Sequence, residues 1–330
     1  MAVIYGYYVL ATLLPIDKII GRVYPFFSVA LLVMVIGLAI SLLTGEIKVP
    51  EFTLANLHPK HLPAWPLIFI TVSCGAVSGF HATQSPLMAR CLKNEKHMRA
   101  VFYGAMISEG LIALIWACAA QGFFSDSTAL QTVLQDKVTG GPGTVVYDIC
   151  VASMGVFGGG LAVLGVVVLP ITSGDTAFRV GRLILADYFV LPQKQIFNRY
   201  LLALPLFLIS FSLNFVDFNL IWRYFGWANQ TLAAVALWTG TVFLARRGNR
   251  WWIAFAPAVF MTVVTSTYIL VEKVGFGLSY WLGTSLGILL GIIAAGWFFW
   301  KLPKLAPEQD EPAIVGKPTD AERAGDSCAC

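Results

Sequence analysis

The chain has 330 residues, of which 58% are hydrophobic and only 12% charged. Its mean hydropathy is +0.75. A soluble domain carries roughly 25% charged residues, so this composition describes an all-α polytopic membrane protein. The net charge of +4 does not point to nucleic acid, because the cations sit in short loops between apolar runs.

The N-terminal stretch Met1–Pro15 is apolar but reaches only about 22 Å as a helix, against a hydrocarbon core of roughly 30 Å. It has no basic leader and no small-residue cleavage site, so it does not read as a signal peptide. It reads as the second half of a spanning helix, and the chain as the later part of a longer protein. Eight full spans are expected beyond it, at 23–44, 64–89, 100–121, 149–172, 200–216, 227–245, 251–271 and 277–300.

The second of these breaks halfway. Pro66–Val77 reads as membrane helix and is followed by the polar run Ser78-Gly79-Phe80-His81-Ala82-Thr83-Gln84-Ser85-Pro86. Lipid offers the backbone no hydrogen bonds, so such a break is tolerated only where protein or a water-filled cavity covers it. Many secondary transporters build their substrate sites from discontinuous helices. Ser78, Gly79, His81, Thr83, Gln84 and Ser85 are therefore candidate substrate contacts.

In the third span Glu109 lies among apolar residues. A carboxylate in lipid is a functional candidate, here for proton or cation coupling; packing against a neighbouring helix is the competing reading. His81 is a second proton-relay candidate, or a cap for the broken backbone. After the fourth span, Asp175–Leu191 reads as an amphipathic interfacial helix or a long extension of the span, started by Thr172-Ser173-Gly174-Asp175 after Pro170. Asp175 and Arg179, four apart, can pair; with Thr172 and Ser173 they are candidates for a structural or gating role. Gly155, Gly158, Gly159 and Gly160 suit close helix approach. Asn229 and Gln230, placed at the opening of the sixth span after Gly226, offer more amide than a cap needs and are candidate ligand contacts. Thr265-Ser266-Thr267, deep in the seventh span, suits packing.

Cation-rich loops alternate with cation-poor ones. Arg90–Arg99, Arg179–Arg199 and Arg246–Arg250 fall on one side and 122–148 on the other. By the positive-inside rule the former are cytoplasmic, as is the C-terminus. The tail 303–330, after a transmembrane domain over 1–302, is rich in Pro, Asp, Glu and Ala and is expected to be disordered. The four histidines and six cysteines show no metal-ligand spacing. No nucleophile elbow, Walker or dinucleotide motif is present, so neither an enzyme nor a cofactor is expected.

Three elements go further. Cys74-Gly75-Ala76-Val77-Ser78-Gly79-Phe80-His81 closely resembles a signature of the carbon-starvation CstA family. So do Ile171-Thr172-Ser173-Gly174-Asp175-Thr176-Ala177-Phe178-Arg179 and Phe225-Gly226-Trp227-Ala228-Asn229-Gln230, in that order and spacing. Val3-Ile4-Tyr5-Gly6-Tyr7 with Leu13-Leu14-Pro15 looks like the helix just upstream in that family. The resemblance implies a bacterial inner-membrane secondary transporter with an APC-like fold, inverted repeats and discontinuous helices. It implies peptide uptake during carbon starvation, coupled to protons, with a pyruvate–proton symporter in a close branch. A non-transporting membrane sensor or scaffold is the alternative of a different class. Family members carry further helices upstream, so the chain alone is expected to transport poorly. The implied partners are peptides or small carboxylates such as pyruvate, protons and the lipid bilayer.

Overall fold

A computed structural model describes residues 6–8, 17–51, 53, 55–59, 61–75, 77–92, 94–124, 126–136, 141–192, 195–248 and 250–305. All regular elements among them are helices: α1 (Asp17–Leu43), α2 (Ala64–Val72), α3 (Gly79–Cys91), α4 (Ala105–Phe123), α5 (Ser127–Gln135), α6 (Pro142–Tyr188), α7 (Ile196–Ser212), α8 (Phe218–Arg246), α9 (Trp252–Val271) and α10 (Tyr280–Lys301). Of the N-terminal half-span only residues 6–8 are described, as helical; most of the tail, from 306 on, lies outside the described residues. Among the described residues, seven segments are long and apolar enough to cross a membrane: Phe26–Leu43, Ala64–Pro86, Glu95–Phe123, Pro142–Val166, Ile196–Phe215, Trp252–Val271 and Tyr280–Lys304. The protein is therefore a multi-pass membrane protein. The expected span 227–245 falls within α8, whose 29 residues are ample in length. Its polar Asn229, Gln230 and Thr241 lower the hydropathy, and all three are buried rather than lipid-facing.

The chain divides into two compact units, Met1–Leu62 with Ile107–Phe215, and Pro63–Met106 with Val216–Cys330. In the first unit α1 packs against α6. Met34, Leu38, Ala119, Val145, Ile149, Cys150 and Ala162 form its main core. Gly37 makes room for Met154, whose Sδ would stand 2.1 Å from a Cβ there.

The expected span 149–172 lies within α6, which is longer and is not a single straight helix. At Gly155 the backbone takes φ 61 and ψ −151, a region open to glycine almost alone. The helix doubles back there. A Cβ at Gly143 would touch Val166 Cγ1 at 3.3 Å, and one at Gly159 would meet the Tyr147 ring at 3.1 Å. In a straight helix residues 143 and 166 would stand roughly 35 Å apart. The second leg then runs through to Tyr188 without a start at Thr172–Asp175. Two forces keep that Ser/Gly stretch helical: the backbone has no other partners in lipid, and tertiary packing overrides local propensity. The packing is aromatic. Phe178 lies 5.1 Å from the Tyr8 ring and 4.8 Å from Phe207 of α7, and Gly174 abuts Tyr8. Asp175–Leu191 is thus the extension of the span, not a separate interfacial helix.

The segment 122–148, read from sequence as a loop, contains α5. Asp126 caps it by accepting from the Ala129 N–H at 2.7 Å. The Ser127 hydroxyl donates to Leu57 C=O at 2.6 Å, and Gln131 approaches His58 at 3.4 Å, which ties α5 to the chain after α1.

In the second unit α9 is central, packed against α2, α8 and α10. Its Ala258, Met261, Val264, Thr265, Thr267 and Tyr268 are buried. Contact with α10 runs along Gly283, Gly287 and Gly291, where a Cβ would stand 2.5 Å or less from Val271, Thr267 and Val263. This small-xxx-small spacing brings two helices to backbone contact in a solvent that gives no hydrophobic drive.

Candidate functional site: the interruption between two membrane helices

The interruption lies earlier than its polar run suggests. The chain is helical to Val72, turns once as a 3₁₀ segment over Ser73–Gly75, and is helical again from Gly79. Ser78 is extended (φ −121, ψ 138), and its hydroxyl accepts from the Phe80 N–H at 3.2 Å. It is therefore an N-cap, and the polar residues after it belong to α3 rather than to the break.

A membrane break needs internal partners, and α8 supplies them. The Asn229 Oδ1 accepts from the Phe80 N–H at 3.0 Å, and its Nδ2 reaches Ser78 Oγ at 3.0 Å and Cys74 Sγ at 3.6 Å. Gln230 is fully buried. In the amide orientation that satisfies both ends, its nitrogen donates to Val77 C=O at 2.8 Å and to Ser73 Oγ at 3.3 Å. Its oxygen accepts from the Cys74 N–H at 3.1 Å. Helix and break touch closely: a Cβ on Gly79 would stand 2.4 Å from Asn229 C=O and 2.7 Å from Leu232 Cβ. The Trp227 indole donates to Thr265 C=O at 3.1 Å, which fixes α8 against α9.

The two amides do not open a helix, as their place after Gly226 suggested. α8 starts at Phe218, two turns earlier. The start signal was Asp217, whose Oδ1 accepts from the Leu220 N–H at 3.2 Å. Beyond the break, His81, Gln84 and Ser85 are half-buried at spacings that share one face of α3. Thr83 turns its hydroxyl onto Phe80 C=O at 2.8 Å. The Gln84 Nε2 is buried with no hydrogen-bond partner among the described residues.

The structure thus brings Asn229 and Gln230 into hydrogen bonds with Ser78 and the backbone of the break, with Gly79 packed against Asn229 and with His81, Gln84 and Ser85 further along α3. Glu109 belongs to the other unit, exposed on α4. Asp175 and Arg179 are there too, on the second leg of α6, paired at 3.3 Å with Asp175 buried. Ser173 on the same leg is exposed, and the Thr172 side chain lies outside the described residues. One pair went unread in the sequence. Arg223 at the start of α8 meets Glu272 after α9 at 3.2 Å, beside Tyr224, whose hydroxyl donates to Val274 C=O at 2.7 Å.

Comparison with known proteins gives the chain's relatives. The carbon starvation protein CstA family matches residues 1–138 and 120–268. An uncharacterized membrane protein of Haemophilus influenzae is 45% identical over 152 residues, covering 40% of this chain and 41% of that one. The peptide transporter CstA of Bacillus subtilis is 28% identical over 370 residues, 88% of this chain and 62% of that one. The pyruvate/proton symporter BtsT of Escherichia coli is 34% identical over 123 residues, 35% of this chain and 17% of that one. The chain therefore spans less than two thirds of the length of these relatives. No solved structure matches it. With the family matched along most of its length, the chain belongs to the carbon starvation protein CstA family.

Proposed function

We propose that the chain serves a proton-coupled secondary transporter of the bacterial inner membrane, which takes up peptides in the response to carbon starvation. The C-terminus and the cation-rich loops face the cytoplasm. The observation that supports this reading best is the interruption at 73–78, with a helix start inside a span and the Gln84 amide nitrogen buried near it with no hydrogen-bond partner among the described residues. The α3 N-terminus carries partial positive charge, which favours a carboxylate such as a peptide's C-terminus. In this reading Ser78 and Gly79 shape the site, and His81, Thr83, Gln84 and Ser85 face the substrate. Asn229 and Gln230 hold the break in place beneath it. Glu109 or His81 carries the coupling proton, and Asp175 with Arg179 stiffens a moving element.

A second reading, pyruvate–proton symport, is favoured by the similarity to the symporter of Escherichia coli. Both substrates present a carboxylate, so the same helix start serves either. Counterflow of labelled dipeptide and of pyruvate, in membrane vesicles from cells expressing the chain together with any in-frame sequence upstream of it, separates them. Accumulation of dipeptide, with pyruvate unable to compete, is the expected outcome. Failure of both to exchange overturns the transport reading. Glu109→Gln is expected to keep exchange and lose gradient-driven uptake; unchanged accumulation moves the coupling to His81.

A further inference from the structure

One end of the second unit gathers cations that transport does not use. α8 ends at Arg246, α9 begins at Trp252 and α10 ends at Lys301. The Trp251 and Phe298 rings lie 5.3 Å apart, Phe255 stands 5.2 Å from Phe299, and Trp238 of α8 stands 5.7 Å from Phe255. Packed aromatics therefore bind the three helix ends into one face. Arg246, Arg247, Arg250, Lys301 and Lys304 all lie exposed on it, and the sequence holds no Asp or Glu over 243–256 or 295–305. The short turn Leu302–Lys304 brings two of these cations to one ring. Lys301 Nζ stands 4.8 Å and Lys304 Nζ 4.6 Å from the centre of the same Trp300 ring.

Like charges gathered at one ring repel, and an anion beside them relieves that repulsion. The surroundings say which anion. Trp297 and Trp300 are 63% and 62% exposed, and Ile292 and Ile293 continue an exposed apolar face one turn deeper along α10. Tryptophan rings prefer the headgroup level of a bilayer. Basic residues there attract acidic lipid. A phosphate above an apolar wall is the outline of a phospholipid.

We infer that this end of the second unit is a binding site for an anionic phospholipid. Lys301 and Lys304 hold the headgroup phosphate over Trp300, Arg246 adds charge at the rim, and an acyl chain lies along Ile293 and Trp297. The site depends on this helix end alone, so it stands whichever substrate the protein carries.

Native mass spectrometry of the full chain, titrated with phosphatidylglycerol, phosphatidylcholine or inorganic phosphate, tests it. Phosphatidylglycerol is expected to stay bound where phosphatidylcholine is lost. Lys301→Gln with Lys304→Gln is expected to weaken its binding by on the order of fivefold per lysine. Arginine at both positions is expected to restore binding, and Lys273→Gln to leave it unchanged. Equal retention of the two lipids, or a glutamine double variant that binds like the parent, overturns the site. Competition by inorganic phosphate at equal concentration overturns the lipid as its occupant. So does binding that emerges only after Glu308, Asp310 and Glu311 are neutralised, which would assign the lysines to the chain's own acidic tail.

Discussion

Among the described residues each unit holds an interruption of a membrane helix, at Gly155 and at 73–78, and the two are built by different means. In the first unit a single residue, Gly155, turns α6 back on itself through φ 61 and ψ −151. Little backbone is stranded: Ser41 of α1 donates to Ser153 C=O at 3.5 Å, and the Ser153 hydroxyl returns to Ile149 C=O at 2.8 Å. In the second unit the chain leaves helical geometry from Ser73 to Ser78. There two neighbouring amides of α8 supply the missing partners. A one-residue reversal needs a permissive dihedral. A longer unwound stretch needs imported hydrogen bonds. The second kind also sets side-chain donors and acceptors beside a helix start within a span, which is where a ligand can be held.

The largest effect is expected where that import is removed. Gln230→Leu keeps the volume of a fully buried side chain but strands the Cys74 N–H and the Val77 C=O. Each polar group left without a partner away from water costs about 1–3 kcal/mol, so the variant is expected to lose roughly 2–6 kcal/mol. Thermal unfolding in detergent micelles measures it, and faster amide exchange at Cys74 localises it. Asn229→Leu is expected to cost less, because the Phe80 N–H keeps Ser78 Oγ as a second acceptor at 3.2 Å. If both leave the midpoint at the parental value, the break is held by something other than α8.

Next is Gly155→Ala. A side chain in that backbone region costs about 1–3 kcal/mol, and relief would require the two legs of α6 to part. The expected outcome is a lower unfolding midpoint and easier proteolysis near 150–160, with the second unit unaffected. Gly160→Ala, where a Cβ meets nothing within 4 Å, is the matched control. Equal loss from both variants would mean that the stretch responds to any added methyl, and that Gly155 has no special place.

These two interruptions also show what was legible in the sequence. The spans were, because a solvent without hydrogen bonds forces long apolar helices. A break near residue 78 was legible too, from Ser, Gly and Pro crowding an apolar run. Its place was misread because Ser78-Gly79 looks like loop and is a cap, so Thr83, Gln84 and Ser85 were assigned to the break rather than to α3. The partners were not legible, since Asn229 lies 151 residues from Ser78 and pairing at that range leaves no local pattern. Gly155 was hidden among three nearby glycines of identical composition, and only its dihedrals separate it. For α8 the cap Asp217 was visible and was passed over for Gly226-Trp227, which sits inside the helix. The glycine spacing of α10 was equally visible as small-xxx-small and went unused.

The smallest effect tests the first unit's side of the comparison. Ser41 is buried, and its hydroxyl gives the Gly155 reversal a single long hydrogen bond. Ser41→Ala removes that bond without opening a large cavity, and a typical intramolecular hydrogen bond contributes about 0.5–1.5 kcal/mol net. At 3.5 Å the loss belongs at the bottom of that range. The carbonyl it leaves is that of Ser153 itself. A slight fall in the unfolding midpoint, well below that of Gly155→Ala, is therefore expected. A loss as large as that of Gln230→Leu would show that the α6 reversal also depends on an imported hydrogen bond, and the distinction between the two interruptions would collapse.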